Sequence, residues 1–136
     1  MLLPTQTDIL GKFIFFTGCY NGFLSLFLLY PTLYRAFGLN VSQPVWGWVL
    51  SAFLAFTAAV LIIASRDLRG KASIVYWEAM LRFAAAAILI PAGLLGDLGV
   101  IAAVLGAGDA LIGCVYVFGL AKTLQATHRQ LLFDRL

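Results

Sequence analysis

Apolar residues gather into four long runs separated by short polar stretches, covering about residues 12–30, 45–65, 72–93 and 99–121. A helix of about 20 residues spans a hydrocarbon layer of ~30 Å, and each run reaches that length. The expected fold is therefore all-α: an integral membrane antiparallel four-helix bundle, one domain over residues 1–136, followed by a C-terminal cytoplasmic surface helix. That last helix is expected because Leu124, Leu131, Leu132 and Phe133 keep helical spacing against Gln125, His128, Arg129 and Arg135.

Within the first run Thr17, Asn21 and Ser25 recur at every fourth position, beside a GxxxG formed by Gly18 and Gly22. Pro4, Thr5, Thr7 and Asp8 suit the capping turn of a helix beginning near Ile9, and Pro31 should end or kink it. Tyr30, Tyr34, Trp46 and Trp48 flank the first loop, where aromatic side chains anchor at the lipid–water boundary. The second run carries no charge, and its Ser51 and Thr57 point to packing. Pro91-Ala92-Gly93 closes the third run. In the fourth, Ala102, Gly106, Ala110 and Cys114 fall at every fourth place, a second close-packing stripe. Either small-residue face can serve within one chain or as the seam of a homo-oligomer; packing within the chain is the expectation.

Composition agrees: 62% of the 136 residues are hydrophobic and 11% charged, where soluble domains have roughly a quarter charged. The net charge of +3 is not a nucleic-acid signal, because the basic residues sit at the ends of the apolar runs. With four spans, one end collects Lys12, Arg66, Arg69, Lys71, Lys122, Arg129 and Arg135, and the other has Arg35 alone. The positive-inside rule then places both termini in the cytoplasm, with the bundle in a bacterial inner membrane. Cys19 and Cys114 form no CxxC, and His128 is the single histidine, so neither a metal nor another cofactor is expected. Phe16-Thr17-Gly18-Cys19 imitates a lipoprotein cleavage box, but only Phe13 to Phe16 separate Lys12 from Thr17. A signal peptide needs an apolar region of about 7–15 residues there, so the run is read as an uncleaved span.

Against this background the third run is anomalous. Glu78 and Arg82 lie within it, one helical turn apart on one face. Counted at 1.5 Å per residue from the flanking lysines, they lie ~10 and ~16 Å deep, Asn21 ~13 Å and Asp109 ~20 Å. Buried charges at membrane depth need partners and are functional by default. A single guanidinium can serve both carboxylates, with Asn21 and the hydroxyls of Tyr20, Tyr76 or Tyr116 completing the network. Two carboxyls sharing one cation carry a formal charge of −1, an arrangement suited to taking up and releasing a proton.

The leading expectation is a small membrane enzyme performing acid–base chemistry of isomerase, cyclase or epoxide-hydrolase type on a hydrophobic small molecule delivered from membrane lipids. Asp109 or Glu78 would be the general acid or base and Arg82 the electrostatic brace. Asn21 and Tyr116 would orient the substrate, with Tyr20, Tyr76 and Trp77 as further binding groups. Trp77 fits a pocket wall or a lipid-facing position equally. One alternative is a proton-linked transporter or channel subunit. Another is a non-catalytic subunit of a membrane complex, in which buried polar groups only tie helices together, the commonest role for an intramembrane Asn.

Overall fold

Helix α1 (Gln6–Leu29) begins earlier than the apolar run implies, because Thr5 and Asp8 form a capping box. Thr5 Oγ1 accepts from the Asp8 amide at 3.2 Å, and the Thr5 amide donates to Asp8 Oδ2 at 3.1 Å. The computed structural model describes residues 5–136, so Pro4 lies outside the described residues. After α1 come a short α2 (Pro31–Ala36), then α3 (Pro44–Ala64), α4 (Ala72–Leu94), α5 (Val100–Leu124) and a one-turn α6 (His128–Leu132). Helices α1, α3, α4 and α5 are each long and apolar enough to cross a membrane. Together they form an all-helical four-helix bundle with no strand among the described residues.

The bundle's exterior is that of a protein solvated by lipid. Phe16, Phe23, Phe53, Phe56, Leu111 and Phe118 point outward and are exposed, whereas Thr17, Asn21, Ser25, Ser51 and Thr57 are buried. In hydrocarbon a large apolar side chain gains nothing by turning inward, while a polar one must find a partner.

Two hairpins compose the bundle: α1 lies along α3 and α4 along α5, and contact between the hairpins is much sparser. The GxxxG face of α1 is covered by α3, since a Cβ on Gly18 would come within 3.2 Å of Leu61 Cβ and 3.3 Å of the Ala58 carbonyl. Nearby, Ser25 Oγ donates to the Ser51 carbonyl at 2.8 Å and Ser51 Oγ to the Ser25 carbonyl at 2.7 Å, clasping the first hairpin. In the second hairpin, Gly93 meets α5 so closely that a Cβ would overlap the Ala103 amide nitrogen. Helix α4 continues past Pro91 to Leu94, about one turn beyond Ile90; the proline forfeits only the one backbone bond its missing amide would make. The stripe expected to run from Ala102 to Cys114 drifts. Ala102 and Gly106 are buried against α4, but further along Gly113 is buried and Cys114 is exposed. A four-residue repeat overshoots the 3.6-residue turn and leaves the interface within three steps.

The termini and the α3–α4 turn share one end, called here the terminal end. There Leu10, Ile14, Leu61, Val75, Leu120 and Leu131 belong to one continuous core. The C-terminal segment folds back over it: Gln125 adopts a left-handed conformation, Thr127 caps α6, and Leu131 is fully buried. The far end has a much smaller core of Leu28, Tyr34, Leu39 and Ala102. Tyr34, expected as a boundary anchor, is wholly buried there, because Pro31 starts a helical turn that carries its ring inward; Tyr30, Trp46 and Trp48 are exposed. The two far loops are joined, the Asn40 amide donating to the Leu98 carbonyl at 2.8 Å. Gly38 and Gly99, both at positive φ, let the loop backbones touch.

Candidate functional site

Arg82 is 3% exposed and stands midway along α4 at the boundary between the two ends. Its three nitrogens reach three side chains on three helices. Nε donates to Glu78 Oε2 at 2.8 Å along its own helix, NH1 to Asp109 Oδ1 on α5 at 2.6 Å, and NH2 to Asn21 Oδ1 on α1 at 3.1 Å. Asn21 Nδ2 then donates to Thr57 Oγ1 on α3 at 2.9 Å, and Thr57 closes the chain onto the Leu54 carbonyl at 3.0 Å. The network thus crosses the gap between the hairpins through the Arg82–Asn21 bond. Such charge-assisted bonds are what allow a guanidinium to sit at this depth.

Beneath the guanidinium, toward the termini, the Tyr116 ring centroid lies 5.5 Å from Arg82 Cζ. Its hydroxyl bonds to Thr17 Oγ1, which also donates to the Ile14 carbonyl at 2.9 Å. Above it, toward the far end, opens a cavity of about 480 Å³, within the range of sites for drug-sized ligands. Asn21, Thr57, Glu78, Arg82 and Asp109 form its floor; apolar residues such as Leu28, Leu54, Leu89 and Ala102 form its walls. Leu39, Val41 and Leu98, from the two joined loops, lie at its far end. Trp46, Leu50 and Phe53 of α3 and Leu81 of α4 line it too, yet are 45–63% exposed, which puts the mouth between α3 and α4, facing sideways. Arg82 engages one oxygen of each carboxyl. Among the described residues, Glu78 Oε1 and Asp109 Oδ2 receive no side-chain hydrogen bond, and the Asp109 side chain is 22% exposed.

Of the residues expected from sequence, Glu78, Arg82, Asp109 and Asn21 meet in this floor. Tyr116 supports it from below without lining the cavity. Tyr20 is exposed and off the cavity. Tyr76 faces the terminal core instead, its hydroxyl 3.2 Å from His128 Nδ1. Trp77 is exposed and donates to the Leu132 carbonyl at 3.0 Å, so both residues hold α6 in place. Thr57 and Thr17 were not singled out for this network by sequence. The available signal was Thr17 in a polar stripe with Asn21 and Ser25, and Thr57 as one of two hydroxyls in the uncharged second run, both of which packing explains as readily. One buried polar atom among the described residues has no partner, the Tyr34 hydroxyl, beside Gly47 of the cavity wall.

These features define a class, a helical membrane protein with an intramembrane charged site under an apolar cavity. The chain matches no protein-family model, no curated protein and no solved structure.

Proposed function

We propose that the protein is a small membrane enzyme that takes a lipid-soluble substrate through the α3–α4 mouth and performs acid–base chemistry on it above the Arg82 network. The carrying observation is a cavity with apolar walls that ends on two carboxyls, each with an oxygen outside the ion pair. Asp109, the more accessible acid, accepts a proton from one position of the substrate and returns it at another, so that an isomerisation needs no co-reactant. Glu78 is the second acid, Arg82 holds both carboxyls in place, Asn21 orients the polar end of the substrate, and Tyr116 positions Arg82. The apolar walls favour a lipid-soluble ligand over a path for hydrated ions.

A purely structural role has its own support, since Arg82 already satisfies acceptors on three helices. Asp109→Asn separates the two readings. The purified variant should fold and retain co-purified lipid-soluble molecules, identified by mass spectrometry, while conversion of those molecules falls at least about a hundredfold, the usual loss with a general acid or base. Undiminished conversion, or none by the wild type on any molecule it retains, would leave the structural role.

The same proposal places the termini in the cytoplasm of a bacterial inner membrane, because the terminal end carries the basic loop. With Cys19 and Cys114 replaced by serine, cysteines introduced as Arg69→Cys and Arg129→Cys should react only from the cytoplasmic side, and Asn40→Cys only from outside. Reaction of Arg69→Cys and Asn40→Cys from one side would refute this orientation.

A further inference from the structure

We infer that the cavity selects an amphiphile with one polar end that donates hydrogen bonds and bears no negative charge: an alcohol or an amine on a hydrophobic chain, not a carboxylate or a phosphate. The inference rests on the ligand-binding part of the function proposed above and goes beyond it by fixing the head group. Arg82 is the single cation of the lining, and its three nitrogens are directed at Glu78, Asp109 and Asn21. Thr57 Oγ1 donates to the Leu54 carbonyl, and Asn21 Nδ2 donates one N–H to Thr57 and keeps the second to orient a ligand. Each donor atom of the floor thus already has an acceptor, and the floor atoms with no hydrogen-bond partner among the described residues are the carboxyl oxygens Glu78 Oε1 and Asp109 Oδ2. The floor as a whole, two carboxyls and one guanidinium, has a formal charge of −1. An anionic head would meet like charge in surroundings of low dielectric, where the repulsion is strong. A hydroxyl or ammonium would supply the donors that these oxygens lack. The rest of the lining offers a single apolar chamber reached from the side between Phe53 and Leu81, suited to the tail.

The test uses full-length protein in phosphatidylcholine nanodiscs, photolabelled with a diazirine-bearing dodecanol and mapped by mass spectrometry. Label is expected on the α3 and α4 segments around Phe53 and Leu81. Unlabelled 1-dodecanol or dodecylamine should displace it at concentrations at least about tenfold below those needed of dodecyl phosphate, a tenfold ratio being about 1.4 kcal/mol. Asp109→Asn, which removes the excess charge, should narrow that ratio. Ala85→Phe, which fills the chamber from α4, should abolish the α3 and α4 label, and Leu54→Trp does the same from the other hairpin if the first variant does not fold. Displacement by dodecyl phosphate at equal or lower concentration overturns the head-group assignment. Undiminished label in a folded filled variant overturns the cavity as the site. Product formation is read separately, so selective binding without conversion removes the enzyme but keeps the ligand class, and conversion of an anionic amphiphile does the reverse.

Discussion

Between the Arg82 network and the termini the four helices close on one another around Ile14, Leu61, Val75 and Leu120, all fully buried. On the other side of the same network the same helices stand around a chamber of about 480 Å³, with only Leu28, Tyr34, Leu39 and Ala102 as core. Both ends are built from similar residue types, so hydrophobicity does not separate them. The difference lies in what joins the hairpins. At the terminal end the two hairpins close directly on each other in one core drawn from α1, α3, α4 and α5, and the C-terminal segment, bonded to Trp77 and Tyr76 of α4, caps it with the buried Leu131. At the far end the loops join at their tips and leave the helices between them apart. The charged network sits at this boundary, protected from below and open from above.

The sharpest way to break the comparison is at the boundary itself. Arg82→Leu strands Glu78 and Asp109 without their counter-charge, and breaking a buried pair in this way costs about 3–5 kcal/mol. Thermal unfolding followed by intrinsic fluorescence in detergent should show early melting. Stability equal to wild type would mean that the network does not hold the hairpins together.

A smaller effect measures the two ends directly. Leu61 and Leu54 lie two turns apart on one face of α3, the first in the terminal core and the second on the chamber wall. Leu61→Ala should cost about 2–5 kcal/mol, the range for a fully buried leucine. Leu54→Ala should cost less than half as much, because it enlarges a space that already exists. Equal losses in chemical unfolding would refute a hollow far end.

The smallest effect concerns Tyr34, whose buried hydroxyl lacks a partner. Tyr34→Phe removes an unsatisfied polar group, so stability should rise by about 1 kcal/mol. A loss instead would show that the hydroxyl has an occupant of the chamber as its partner.

Much of the site could be read before the fold. Glu78 and Arg82 are joined by helix geometry alone, and counting from the flanking lysines brings Asp109 and Asn21 to similar depth. Helix period could not rank the tyrosines, because Tyr20, Tyr76 and Tyr116 all stand near that depth on faces whose neighbours are set by packing. Only Tyr116 lies under the guanidinium.

The sequence by itself determined the four apolar helices, their order, the grouping of basic residues at one end and the stranded charges in α4. These follow from local rules: the length of an apolar run, the rise per residue and the expense of an unpaired charge in hydrocarbon. Tertiary structure alone decided that the helices pair as α1 with α3 and α4 with α5, that Thr57 of an apparently inert helix completes the polar network, and that one end packs while the other stays hollow. Those outcomes depend on which side chains meet across a gap, and lipid-exposed helices carry no hydrophobic stripe that would fix the facing side in advance.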